Sequence, residues 1–220
     1  RTVEALEIGQ LLAFAGGKIL TENGRAQAIN CGKEISKILL DNGWDLDPLV
    51  HSSTELRAWE TACLALQQLG VAADIQQSHN LSERSVGSVA NLTVDQIEAV
   101  LRKDPRYEAP RHGWKSDAHY CLPFPGAESL SMAGKRVADH INHSLPKPTT
   151  TQRSLLTLFF GHGASFRHAA CHMGVLQPED LPRLSMHHAK PLLICYNFCG
   201  NWSHFGGAWK IRNLADPITD

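Results

Sequence analysis

The spacing of apolar positions changes most sharply around one short segment. From Ser154 to Phe160 they form a nearly continuous run rich in Leu and Phe, which predicts a strand buried on both faces, as in a parallel sheet. Past Gly161-His162-Gly163 they recur at helical spacing, at Phe166, Ala169, Ala170 and Met173. His162 is therefore expected at a strand-to-helix junction, where the N–H groups of a helix start point outward and can receive an anion.

The same order recurs upstream. Residues 1–17 have mixed periodicity and read as a loop or short helix. L-T-E-N-G-R-A-Q-A then opens a helix capped by Thr21, with Cys31, Ile35, Ile38 and Leu39 buried and Asn42-Gly43 as its stop. Pro48 to Ser52 predicts a strand, followed by a helix that Gly70 closes, with Leu56, Trp59, Cys63, Leu66 and Leu69 on one face. From about 72 to 125 the pattern loosens into a short strand, the segment L-S-E-R-S-V-G, and a helix opened by a capping box at Thr93 to Gln96, followed by prolines, histidines and aromatics. This stretch reads as a loop-rich insertion over the sheet edge within one domain spanning 1–220. Glu128 to Leu145 predicts a further helix with Leu130, Val137 and Ile141 inward, and P-K-P-T-T ends it. Pro191 to Asn197 and Gly206 to Asn213 predict two closing strands joined by the loop F-C-G-N-W-S-H-F. Strands alternating with helices indicate an α/β domain with a mostly parallel sheet and ligands at the strands' carboxyl ends.

Composition narrows the function. The 220 residues fit one domain. Lys plus Arg (21) nearly balances Asp plus Glu (22), so no broad basic surface points to nucleic acid or membrane, and any anion preference must be local. No apolar run approaches the roughly 20 residues that span a bilayer, and no secretory pattern opens the chain. The six cysteines are scattered, as reduced thiols of a soluble cytoplasmic protein would be.

Several residues could carry chemistry. Arg57 starts a helix directly after a strand and a serine-rich turn, so its guanidinium fork can reach the sheet edge where His162 is expected; its plainer role is a solvated first-turn arginine. Glu83, in a loop, could serve as a general acid or simply be a surface charge beside Arg84. His168 and His172 lie four apart on one predicted helix, with Cys171, His187, His188, Cys195 and Cys199 nearby in sequence, all of them types that bind zinc. Without a C-x-x-C pair or a carboxylate placed beside them, no metal is expected, and no cofactor.

Four segments in order, L-T-E-N-G-R-A-Q-A, S-S-T-E-L-R-A-W-E-T-A, L-S-E-R-S-V-G and L-F-F-G-H-G-A-S-F-R-H-A, together resemble the histidine phosphatase superfamily, the phosphoglycerate-mutase-like proteins. P-G-A-E-S-L at Pro125 to Leu130 is similar to a further family segment. The resemblance implies a three-layer α/β sandwich with helices on both faces of the sheet, and a phosphomonoesterase that works through a phosphohistidine. By this likeness Arg57 compensates phosphoryl charge, Glu83 protonates the leaving alcohol, and His162 is the second histidine of the site. Arg84, Gly163 and Thr2 are expected to bind substrate, a small phosphorylated compound or a phosphoprotein; a homo-oligomer is left open.

The sequence departs from the family in one motif. The R-H-G that supplies the nucleophile does not open this chain, and the R-H-G at Arg111 to Gly113 follows a proline rather than a strand, so it reads as a coincidence. Since the family pattern continues R-H-G-x-T and the sequence opens Arg1-Thr2, the nucleophile is expected just before Arg1. The alternative places Arg1 at the motif's arginine, giving an inactive family member that binds phospholigands or proteins. Val3 to Gly17 does not resemble the asparagine- and glycine-rich tract of the family's mutases, which ranks mutase activity lower. His112, Trp114, His119, Tyr120 and Phe124 are expected to roof the site.

Overall fold

The computed structural model describes residues 19–145, 154–197 and 200–212. Residues 1–17, with Thr2, and the P-K-P-T-T segment lie outside them. Helix α1 (Glu22–Asn42) begins at Thr21, whose hydroxyl accepts the N–H of Gly24, and ends at Gly43, which takes the left-handed conformation (φ 62°) that glycine adopts without steric penalty. Short strand β1 (Asp45–Leu46) and strand β2 (Leu49–Ser53) lead into helix α2 (Leu56–Leu69), and β3 (Asp74–Ser78) follows. Helix α3 (Val94–Lys103) carries the reciprocal Thr93–Gln96 capping box. Helix α4 (Leu130–Ser144), strands β4 (Leu155–Leu156) and β5 (Phe159–Phe160), and helix α5 (Gly163–His172) complete the region around the site. Strands β6 (Leu184–Ser185), β7 (Leu193–Tyr196), β8 (Trp202–Gly206) and β9 (Lys210–Ile211) come last.

The fold is α/β, with parallel pairing at its centre in the order β3-β2-β5. Alternation along the strands sends side chains to opposite faces. Val50 and Phe160 pack with Cys31, Ile35, Ala62 and Leu66 of α1 and α2. Phe159 packs on the other side, with Val137, Ile141 and Ala169 of α4 and α5. The helix pairs approach closely because glycine leaves room: a Cβ on Gly32 would lie 2.5 Å from the carbonyl oxygen of Ala65, and one on Gly134 would lie 2.4 Å from Cβ of His168. Residues of the loop-rich stretch have a core of their own, with Val89, Ile97, Leu101, Trp114 and Leu122 buried together.

Three expectations need correction. Ser154 to Phe160 is not one strand buried on both faces: Leu155 is exposed, β4 pairs β1, and β5 pairs β2. The division lies opposite Asp47 to His51: Asp47 N bonds Leu156 O (3.0 Å) and His51 N bonds Leu158 O (2.9 Å), while the intervening Leu49 N–H turns to Asp47 Oδ1 (3.0 Å) and leaves the ladder. On α2 the buried positions are Ala58, Ala62, Ala65 and Leu66, with Trp59 exposed, because close packing on α1 favours small side chains. Finally, Trp202 to Phe205, expected in a loop, lie in β8, which pairs antiparallel with β7; β9 pairs with β6 instead.

Candidate functional site

Strands β2 and β5 run parallel, so their carboxyl ends lie side by side, and α2 and α5 leave from them. His162 is the N-cap of α5 and is 5% exposed. Its backbone carbonyl accepts the first helical bond, from Phe166 N at 2.9 Å. Gly161 is needed beside it, since a Cβ there would lie 2.6 Å from the Phe166 ring.

Two helix starts bring Arg57 and His162 together: Nη2 of Arg57 donates to Nδ1 of His162 at 3.0 Å. A guanidinium has no acceptor, so Nδ1 must be the lone-pair nitrogen and the proton sits on Nε2. Nε2 in turn faces Ser53 Oγ at 3.0 Å and Glu55 Oε1 at 3.1 Å. Burial, then the charges of Arg57 and Arg136, push the imidazole pKa down to about 3, consistent with this neutral form.

Glu55 is the N-cap residue of α2, yet its carboxylate caps no helix N–H. It lies 2.5 Å from Arg57 Nη2 through Oε2, and its Oε1 accepts the backbone N–H of Glu83 at 3.1 Å. Glu83 thus approaches the Arg57–His162 pair through its backbone, and its own Oε1 accepts the N–H of Arg84 at 3.0 Å. Arg84 lies over the Trp114 ring, 5.6 Å from the centroid, and donates to the carbonyl of Lys115 at 3.3 Å.

The loop holding Glu83 is clamped by α4. Arg136 forms a two-point ion pair with Glu128, at 2.8 and 2.7 Å, and its other contacts include the carbonyls of His79 (3.0 Å), Asn80 (2.9 Å) and Ser82 (3.3 Å). Glu128 also accepts Ser85 N–H at 3.1 Å and donates its own N–H to Ser85 O at 2.8 Å. Burial alone would raise the Glu128 carboxyl pKa, but Arg136 and the Ser85 N–H bring it below the usual range.

Among the other candidates, Gly163 adjoins this cluster as the residue after His162. Gly163 is exposed at the start of α5, whose first N–H groups have no intrahelical partner. Thr2 lies outside the described residues. His168 has Nδ1 2.8 Å from Ala164 O within its own helix, and His172 has Nε2 2.9 Å from Ser131 O of α4, so both rings are bonded to backbone carbonyls. No three His, Cys, Asp or Glu gather in a metal-binding group among the described residues. His112 is exposed in a turn with no strand before it. Trp114 is buried, with Tyr120 and Phe124 against its cluster, so those aromatics build the core of the loop-rich stretch instead of an open roof.

Glu55, Ser53, Glu128 and Arg136 are functional candidates that no pattern in the sequence singles out. Glu55 and Ser53 lie within the segment that carries Arg57, and Glu128 within P-G-A-E-S-L, but sequence spacing gives no sign that they meet across three elements.

A family model described as the histidine phosphatase superfamily (branch 1) matches residues 15–203. The chain belongs to this superfamily. One relative is a 2,3-bisphosphoglycerate-dependent phosphoglycerate mutase of Parvibaculum lavamentivorans, 28% identical over 176 residues, or 79% of this chain and 77% of the relative. Among solved structures, "Mycobacterial hydrolase 1" superposes with a TM-score of 0.61 at 21% identity, covering 86% of this chain and 85% of the other. A putative alpha-ribazole-5'-P phosphatase from Escherichia coli gives 0.58 at 17% identity, covering 90% and 84%. At those identities the structural likeness establishes the fold. The matched span of this histidine phosphatase superfamily member includes Ser53, Glu55, Arg57, Glu83 and His162. No helix among the described residues is long and apolar enough to cross a membrane.

Proposed function

We propose that this superfamily member is a phosphomonoester hydrolase acting through a phosphohistidine intermediate on a small phosphorylated compound or a phosphoprotein. One observation carries the reading. Arg57 Nη2, His162 Nε2 and the N–H of Glu83 converge from three elements on the single carboxylate of Glu55. The same donors suit phosphoryl oxygens, whose charge must be compensated in the transition state.

In this reading a histidine nitrogen outside the described residues attacks phosphorus as the ester P–O bond breaks. The Glu83 carboxyl gives its proton to the departing alcohol. Water then attacks phosphorus, Glu83 takes its proton, the P–N bond breaks and inorganic phosphate leaves. His162 stays uncharged until substrate enters and donates from Nε2. Arg84 and the start of α5 at Gly163 bind the remainder of the substrate.

The test uses the full-length protein with p-nitrophenyl phosphate and an alkyl phosphate, with acid-labile phosphate trapped and mapped by peptide. Glu83→Gln should slow alkyl phosphate hydrolysis by about 10²- to 10⁴-fold, the range of general acid catalysis, and slow p-nitrophenyl phosphate much less because that leaving group needs no proton. Phosphate binding without phosphoenzyme or release would favour an inactive phospholigand-binding module. Isomerisation that needs a bisphosphorylated primer would favour the mutase activity named for the Parvibaculum relative.

A further inference from the structure

Glu55 stands where an anionic ligand of the proposed site would stand. While Ser53 Oγ accepts the hydrogen bond of His162 Nε2, the Glu55 carboxylate has Arg57 Nη2 at 2.5 Å and His162 Nε2 at 3.1 Å and accepts the backbone N–H of Glu83. It gives the helix behind it no capping bond, so these contacts are not a by-product of starting α2. A phosphoryl group bound to the same three donors would need the carboxylate to leave, since two anions cannot share them.

We propose that Glu55 is an intramolecular competitor for the phosphoryl site, closing it in the ligand-free protein and swinging out when a phosphate ester enters. This rests on the phosphoryl-site reading above. Opening costs the same whichever anion follows. Closure reduces apparent affinity by the fraction of molecules that are open, so a tenfold preference for the closed arrangement weakens binding about tenfold.

The test measures inorganic phosphate and inorganic sulfate binding by calorimetry, using the full-length protein and its Glu55→Gln, Glu55→Ala and Arg57→Ala variants, with thermal unfolding as a check of folding. Glu55→Gln keeps an oxygen to accept the Glu83 N–H and removes the charge. It should bind phosphate and sulfate each about tenfold more tightly than the unsubstituted protein, with unchanged unfolding; Glu55→Ala should do the same should the glutamine variant be unstable. Arg57→Ala should abolish phosphate binding. Equal or weaker phosphate binding in both Glu55 variants, still dependent on Arg57, would overturn the gate and leave the phosphoryl site standing. Absence of phosphate binding in every form, the charge-neutral variants included, would remove the site reading and the gate together.

Discussion

The guanidinium of Arg57 donates to Nδ1 of His162 at 3.0 Å, and this one contact sets the state of the imidazole. It leaves the proton on Nε2, the nitrogen turned toward Ser53 and the Glu55 carboxylate. A donor is thereby aimed, before any ligand arrives, at the place where the proposed phosphoryl oxygens would lie. The loss of that donor should be felt mainly in the chemical step.

His162→Ala is expected to lower kcat by about 10²- to 10³-fold, the scale for removing one preorganised oxyanion donor, with a smaller change in KM because Arg57 remains. Steady-state kinetics on p-nitrophenyl phosphate with the full-length protein measure it. Near-normal turnover in His162→Ala and His162→Asn would take the α5 junction out of the active site.

Arg136 should matter without touching substrate, because it holds the Ser82 and Glu83 carbonyls and Glu128 in one clamp. Arg136→Ala removes charge-assisted hydrogen bonds worth about 1.5–3 kcal/mol each in favourable cases, so a stability loss of about 2 kcal/mol is expected in urea titration. If the clamp positions Glu83, kcat on alkyl phosphates should fall further than kcat on p-nitrophenyl phosphate. Equal losses on both substrates would leave Arg136 a purely structural residue.

Gly134→Ala tests the α4–α5 packing that seats His162's helix. The added methyl meets His168 Cβ at 2.4 Å, the His168 carbonyl carbon at 2.6 Å and Ala169 N at 2.9 Å, atoms that cannot rotate away. Overpacking of this kind costs about 1–3 kcal/mol, read as a lower denaturation midpoint at unchanged m-value. A midpoint equal to that of the unsubstituted protein would mean that the two helices can separate without loss.

Three histidines make the fold acid-sensitive. The pKa of His162 is pushed down to about 3 by burial, Arg57 and Arg136. His51 is lowered by burial, against the pull of Asp47, and its nitrogens find no partner among the described residues. His140 is lowered by burial, then by His51 and His143. A folded pKa below the unfolded 6.5 means the unfolded chain binds more protons, so this stability is present above pH 6.5 and lost as pH falls. For His162 the loss continues to about pH 3. Denaturation midpoints should therefore drop between pH 6.5 and 5, before the carboxylates titrate. His51→Leu should flatten that drop, and a midpoint constant from pH 7 to 5 would contradict it.

The sequence by itself determined the order of elements and the junctions at which chemistry can sit. Thr21, the Thr93–Gln96 box, Gly43 and Gly70 are local signals, complete within a few residues, and α1, α2 and α3 begin or end beside them. The period change at His162 is equally local, and α5 starts at the next residue. What depends on distant chain segments was decided only by the tertiary structure. The split of Leu155 to Phe160 into two strands is set by the distant paired chain, where the Leu49 N–H turns to Asp47 Oδ1 and leaves the ladder. The buried face of α2 follows from the approach of Gly32 on α1. Glu55 looks like an ordinary charged residue at a helix start until the folding of β2 beside β5 puts Arg57, His162 and the Glu83 N–H around its carboxylate. Periodicity reports which face of an element is apolar, but a convergence of polar groups from separate elements leaves no period in the chain.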